Sequence, residues 1–132
     1  MINRSMPPGP VIPQLPYADV PAAARWLCET FGFIERLRIG SHRIQLHVGD
    51  GAIVVVEGGS SNATTGSRVM VPVADVDAHH AAAVAAGANV LSPPTTHPYG
   101  ERQYSVVDPG GHRWTFSESV ADSAIRQRGV GN

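Results

Sequence analysis

Hydrophobic and polar positions along the chain follow two periods, one typical of strands and one of helices. Val11–Tyr17 is apolar enough for a strand, whereas Val20–Phe31 has apolar residues three or four positions apart, which predicts a helix with one buried face. Asp19 before this helix and Gly32 after it are typical N-cap and stop residues. Three more strands are predicted in this half, at Ile34–Ile39, Arg43–Val48 and Ala52–Glu57.

The same order of elements repeats after a Gly- and Ser-rich linker at residues 58–67. Val73–Val76, VADV, matches Tyr17–Val20, YADV, at an offset of 56 residues, and a second helix is predicted to stop at Gly87. A Pro-rich loop is predicted at residues 93–100. The strands predicted around it are Asn89–Ser92, Arg102–Val107 and His112–Ser117. The chain is therefore predicted to duplicate a strand–helix–strand–strand–strand unit.

Alternation along two strands predicts that each sheet has one apolar face. In the last strand, Trp114 and Phe116 alternate with Arg113, Thr115 and Ser117. In Arg43–Val48, three aliphatic residues likewise alternate with Arg43, Gln45 and His47. Because successive side chains of a strand point to opposite faces, the apolar set should pack on the helices and the polar set should face a cleft or solvent.

Composition narrows the class of protein without identifying its function. A chain of 132 residues fits one compact domain, and its formal net charge of -1 argues against nucleic acid or an anionic membrane as a partner. The single cysteine cannot form an internal disulfide, and no apolar stretch approaches the roughly 18 residues that span a bilayer. We therefore expect a cytoplasmic protein, with a flexible segment at residues 1–10 and a tail at residues 118–132 that either forms a short helix near residues 121–128 or is disordered.

This tandem pattern resembles the vicinal oxygen chelate superfamily, which includes glyoxalases, bleomycin resistance proteins and extradiol dioxygenases. The stretches that carry the resemblance are YADVPAAARWLCETFGF, VADVDAHHAAAVAAGA and, most specifically, YGERQYSVVDPGGHRWTF. It implies an α+β fold over residues 11–117, with tandem βαβββ modules at 11–57 and 68–117. Their curved mixed sheets would surround a cleft, with the helices outside. It also implies a homodimer, in which each cleft often takes one half from the partner chain.

Members of this family that use a metal typically hold it with His and Glu side chains on the strands facing the cleft. The positions that correspond to those ligands here are Ile12, Val55, Arg68 and Thr115. Aliphatic side chains have no donor atom, Arg repels a cation, and Thr is a poor ligand for a transition metal. We therefore predict no metal and no other cofactor, although a shift of one or two residues would bring Gln14 or Glu57 near such a site.

The polar positions of the strands supply the candidate ligand-binding residues. Arg68 and Arg113 could clamp an anion, since a guanidinium binds carboxylate or phosphate through two parallel hydrogen bonds. They could equally pair with Glu57 or Glu101. Val55 and Met70 are also predicted to face the cleft. No catalytic residue is predicted. The predicted ligand-binding residues are Gln14, His47, Glu57, Arg68, Tyr104, Arg113 and Thr115.

Three functions are compatible with the sequence. The favoured hypothesis is a metal-free protein that binds or sequesters a small organic ligand in a cleft at a homodimer interface, as drug-sequestering members of the family do. The main alternative is a metal-dependent lyase, isomerase, thiol transferase or dioxygenase of the same family. A third is a metal-free enzyme that uses His47 or Glu57 as a general acid or base.

Overall fold

The structure, a computed structural model, describes residues 6, 7, 9, 11–58 and 66–120. It divides into two units. The first contains the chain up to residue 65 together with the turn at residues 108–112, and the second contains the remainder. The helix predicted near residues 121–128, most of the N-terminal segment and most of the linker lie outside the described residues.

The first unit is a mixed four-stranded sheet with one helix. Its elements are β1 (Gln14–Tyr17), α1 (Val20–Phe31), β2 (Ile34–Ile39), β3 (Arg43–Val48) and β4 (Gly51–Glu57). The strand order is β1-β4-β3-β2, with β1 parallel to β4 and the other pairs antiparallel. The first strand begins three residues later than predicted, although the Pro13 carbonyl before it still accepts a hydrogen bond from the Val54 amide at 2.9 Å.

The predicted N-cap, Asp19, and the predicted stop residue, Gly32, define the two ends of α1. The Asp19 carboxylate accepts a hydrogen bond from the Ala22 amide at 3.1 Å, which satisfies one of the free donors of the first turn. Gly32 ends the helix with φ 79°, a left-handed conformation that glycine adopts without a steric cost. The face between these ends is buried, and it contains Val20, Ala23, Ala24, Leu27, Thr30 and Phe31.

The second unit repeats this topology. Its elements are β5 (Arg68–Pro72), α2 (Val76–Ala85), β6 (Asn89–Thr96), β7 (Glu101–Val107) and β8 (Arg113–Ser119). The strand order is β5-β8-β7-β6, with β5 parallel to β8. Two helices and two four-stranded mixed sheets confirm the predicted α+β fold of tandem βαβββ modules.

One predicted loop is in part a strand. The Pro-rich segment was predicted to be a loop over residues 93–100, but β6 continues through Pro93 and Pro94 to Thr96. Proline is tolerated there because β6 is an edge strand, on which only one side needs backbone donors. Its pairing with β7 is irregular between Ser92 and Thr95, where the two prolines lie.

The start of α2 is held by two carboxylates. Asp75 is the N-cap and accepts from the Ala78 amide at 3.0 Å. Glu118, from β8, accepts from the Val76 amide at 2.9 Å. An acidic residue is favourable at this end, because it satisfies free amides and complements the helix dipole. Neither helix of the described part is both long and apolar enough to cross a membrane.

Candidate functional site

The helix α2 covers one face of the second sheet. The Tyr104 hydroxyl lies 2.6 Å from Nδ1 of His79 on α2, and the rings of His79 and Phe116 have centroids 4.1 Å apart. Tyr104 and Phe116 lie opposite one another in the register of β7 and β8, so both point to the helix side. Trp114 shares this side and is fully buried. Burial raises the pKa of Tyr104 above its ordinary value.

The other side of this sheet is a surface of polar residues, which we call the polar face. The register places Arg68 beside Arg113, and Met70 beside Thr115. In the pairing of β8 with β7, Thr115 lies opposite Ser105, and Ser117 lies opposite Gln103. The polar face comprises Arg68, Met70, Glu101, Gln103, Ser105, Arg113, Thr115 and Ser117.

Hydrogen bonds join most side chains of the polar face into a fixed array. Gln103 Nε2 donates to Ser117 Oγ at 3.2 Å, and that hydroxyl donates to Glu101 Oε1 at 2.5 Å. A separate pair joins the hydroxyls of Ser105 and Thr115 at 3.0 Å. These groups are therefore held in place before any ligand arrives, which reduces the entropy lost on binding.

The two arginines of the polar face lie side by side. Arg68 and Arg113 are partners in the register of β5 and β8, where neighbouring strands are about 4.8 Å apart. Arg68 is exposed and Arg113 is partly buried. In the described part of the chain, neither forms an ion pair with a carboxylate. Pairing with Glu101, one of the two expected alternatives, is not seen, because the Glu101 carboxylate accepts from Ser117.

Gln14 and His47, two of the predicted ligand-binding residues, share a face of the first sheet. Gln14 and Gln45 flank Val54 in the register, and His47 lies two residues along β3 from Gln45 on the same side. Gln45 is buried, and its amide oxygen accepts a hydrogen bond from Arg36 at 2.5 Å. This face therefore carries two amides and an imidazole, but the described contacts give it no array like that of the polar face.

Three residues were assigned to the wrong side of their strands. Val55 pairs with Ile44, and Glu57 pairs with Tyr17, so both have the parity of the buried apolar side of the first sheet. Tyr104 lies on the helix side of the second sheet, as described above. The strand β4 has no alternation from which to predict its two sides, because it is apolar at every position from Ala52 to Val56.

Three polar residues of β7 are missing from the predicted ligand-binding residues. In ERQYSVV, residues 101–107, Glu101, Gln103 and Ser105 occupy alternate positions, and this alternation was a usable signal. The prediction instead placed Tyr104 on the polar side of this strand, which is incompatible with that alternation. The structure shows that its two neighbours in sequence, and not Tyr104, face the same way as Thr115.

The turn at residues 108–112 is held by buried polar contacts within the first unit. The Tyr17 hydroxyl donates to Oδ2 of Asp108, and Oδ1 accepts from the amides of Gly110 at 2.9 Å and His112 at 3.0 Å. His112 Nε2 donates to the Pro16 carbonyl at 2.8 Å. Burial, together with the neighbouring Asp108 charge, raises the pKa of Tyr17. These hydrogen bonds hold the turn within the first unit.

A pocket of about 250 Å³ lies beside the first half of α1 in the first unit. Its walls are mainly apolar, and its one carboxylate, Asp19, already caps the helix. Trp26 lines it and packs edge-on against Phe31, with ring centroids 5.1 Å apart. The pocket thus lacks the convergent polar groups that orient a ligand.

The residues at the family's metal positions do not fit a metal. Val55 is buried, and the Thr115 hydroxyl is bonded to Ser105. Ile12 has no donor atom, and Arg68 is a cation. Over residues 11–58 and 66–120, no three His, Cys, Asp or Glu side chains come close enough together to hold an ion.

Comparison with known proteins settles the family. The profile of the glyoxalase/bleomycin resistance protein/dioxygenase superfamily matches residues 11–116. The chain belongs to this superfamily. TioX from Micromonospora sp. ML1 is a solved structure with 35% sequence identity and a TM-score of 0.74, and the match covers 83% of this chain and 97% of TioX.

Two further solved structures with this fold are of proteins that bind antibiotics. TnmS3, an antibiotic binding protein from Streptomyces sp. CB03234, is 25% identical with a TM-score of 0.69, over 82% of this chain and 93% of TnmS3. The bleomycin-binding protein of Streptomyces verticillus, solved with copper(II)-bleomycin, shares the fold at 23% identity and a TM-score of 0.66, over 80% and 92% of the two chains. No curated protein matches the chain.

Proposed function

We propose that this protein binds and sequesters a small organic molecule of the antibiotic type, without a resident metal or other cofactor. The observation that carries the proposal is the polar face of the second sheet, where Gln103 is hydrogen-bonded to Ser117 and, separately, Ser105 to Thr115. The similarity to TnmS3, described as an antibiotic binding protein, supports the same ligand class.

The polar face offers both kinds of contact that a small-molecule site needs. Met70 is 64% exposed among its polar neighbours and supplies a flexible apolar surface. Beside the polar face, Tyr99 donates a hydrogen bond to Gln103 at 3.0 Å, and its ring stacks on His97 with centroids 5.1 Å apart. Small-molecule sites commonly combine apolar surface with a few fixed polar groups, so an aromatic ligand is favoured.

We further propose that the working form is a homodimer with the ligand in a cleft at its interface, as the family membership supports. Sedimentation velocity of the purified protein tests the assembly. A single species of twice the mass of the 13.9 kDa chain is expected. A monomer that keeps full ligand affinity would remove the dimer from the proposal and leave the binding function intact.

A thermal-shift screen of aromatic and glycopeptide antibiotics tests the function, followed by calorimetry of each hit and mass spectrometry of the recovered ligand. We expect at least one hit with saturable binding and an unchanged ligand mass. Thr115→Val should weaken it, because the variant removes the hydroxyl bonded to Ser105. Glu29→Gln, at an exposed position of α1, is the control and should leave the affinity unchanged. A recovered product of altered mass would instead indicate an enzyme.

A further inference from the structure

We infer that the ligand carries an acidic group, such as a carboxylate, sulfonate or acidic phenol, and that Arg68 and Arg113 bind this group together. The inference rests on the proposed function, since it names the ligand class of the same polar face. It starts from the pairing of two cations in adjacent strands.

The geometry suits one anion between two guanidinium groups. Arg68 and Arg113 are direct partners in parallel strands and point to the same side of the sheet. The Arg113 amide donates to the Ser67 carbonyl at 3.2 Å, which continues the pairing of β5 and β8 past Arg68. Each guanidinium presents several N–H donors in a planar fork, so two of them can surround the oxygens of one acidic group.

The pair also lacks the carboxylate partner that two other arginines of the described chain have. Arg38 pairs with Glu35 at 2.8 Å, and Arg102 pairs with Asp77 at 3.0 Å. Within the described ranges, Arg68 and Arg113 have no such carboxylate. Like charges placed directly opposite in a sheet destabilise it. Their juxtaposition is therefore unfavourable for the unliganded fold and becomes favourable when an anion binds.

The acidic residue of the polar face is too distant to serve as the partner. Glu101 is held by Ser117, which lies four residues along β8 from Arg113. At about 3.3 Å per residue this is roughly 13 Å, which exceeds the Debye length of about 8 Å at physiological ionic strength. The polar face thus has a cationic end and an acidic end, with Met70 and the Ser105–Thr115 hydroxyl pair between them.

Two fluorescent probes that share a ring skeleton test this inference. 8-Anilinonaphthalene-1-sulfonate has a sulfonate, and N-phenyl-1-naphthylamine lacks it. We expect Arg68→Gln and Arg113→Gln each to weaken binding of the sulfonate about tenfold, the loss expected from a charge-assisted hydrogen bond. Binding of the neutral probe should change less than twofold. Raising the NaCl concentration should weaken only the sulfonate, and it should do so less in Arg68→Gln and Arg113→Gln, which keep one of the two cations, than in the wild-type protein.

Arg25→Gln is the matched control, because it removes the same charge from an exposed position on α1. It should leave both affinities unchanged. Without a probe, both polar-face variants should melt at or slightly above the wild-type temperature, since they relieve repulsion between the two cations.

The outcomes separate this inference from the proposed function. Equal sulfonate affinity in wild type and the two polar-face variants would overturn the inference. So would an equal loss in Arg25→Gln, a parallel loss of the neutral probe, or strong destabilisation by either substitution. In these cases binding of the neutral probe by the wild type would leave the proposed function standing. Failure of the wild type to bind either probe would count against both.

Discussion

The hydroxyl of Tyr17 donates a hydrogen bond of 2.5 Å to the carboxylate of Asp108, 91 residues later in the chain. Both side chains are buried, and the second carboxylate oxygen accepts from the backbone amides of Gly110 and His112. A buried carboxylate is costly unless donors surround it, so each of these donors contributes to the stability of the first unit.

Tyr17→Phe should therefore lower the free energy of unfolding by about 1–3 kcal/mol, the cost of leaving a buried charged acceptor short of one donor. Urea unfolding at pH 7, followed by fluorescence of the two tryptophans, measures the change. Tyr99→Phe is the control, because Tyr99 is exposed and its bond to Gln103 should contribute well under 1 kcal/mol. Equal stability of wild type and Tyr17→Phe would show that water replaces the lost donor.

The close approach of Gly110 to the Tyr17 ring gives a second prediction. A methyl group at Gly110 would lie 2.5 and 2.7 Å from two ring carbons of Tyr17, whose hydroxyl is fixed by Asp108. Gly110→Ala should destabilise the fold by about 1–3 kcal/mol through overpacking. At Gly66 a methyl group meets nothing within 4 Å, and φ is not positive, so Gly66→Ala should be neutral or slightly stabilising. Similar melting temperatures for both variants would contradict the packing described here.

The raised pKa of Tyr17 predicts a loss of stability at alkaline pH. In the unfolded chain tyrosine ionises near pH 10, whereas burial keeps the Tyr17 hydroxyl protonated in the fold above that pH. Above about pH 10 the unfolded state thus binds fewer protons than the folded state, so stability falls as the pH rises.

This loss is measurable by urea unfolding between pH 8 and 11.5. Tyr17→Phe should flatten the decline above pH 10 by about 1.4 kcal/mol per pH unit, the value for one proton. The chain contains no lysine, so lysine ionisation does not overlap this range. An identical decline in wild type and variant would mean that Tyr17 ionises in the fold as readily as in the unfolded chain.

The absence of a clustered donor set in the described residues predicts weak metal binding. Protein purified without a chelator or a metal-binding tag should contain no stoichiometric metal, and calorimetric titration with Ni, Mn, Zn or Fe(II) should show no saturable one-to-one binding. One-to-one binding at micromolar affinity would contradict this reading. It would direct attention to His47, since Glu57 lies on the opposite side of the first sheet, and it would favour the metal-dependent enzymes of the family.

Much of the fold was predictable because its signals are local. The helix α1 combines apolar residues at helical spacing with Asp19 and Gly32 as caps, and the structure uses both caps. The strand β8 alternates strictly, so Thr115 and Arg113 were assigned to the correct face. Alternation in this strand is therefore enough to place Arg113 and Thr115 on one face.

The remainder depends on register, which local patterns do not determine in uniformly apolar strands. The two-residue turn between Val48 and Gly51 fixes which residues of β4 face the helix, and it places Glu57 on that side. In β7, the alternation of Glu101, Gln103 and Ser105 indicates the polar side, but it does not show what Tyr104 contacts. Its contact with His79 appears only when α2 is packed on the sheet.

The most direct test of metal-free sequestration is whether ligand binding depends on a metal. A hit from the antibiotic screen should be titrated calorimetrically into protein treated with EDTA and into protein supplied with Ni, Mn, Zn and Fe(II), and the ligand should then be recovered for mass spectrometry. We expect the same affinity in every case and a ligand of unchanged mass. Binding that requires a metal, or a ligand converted to product when a metal is present, would contradict it.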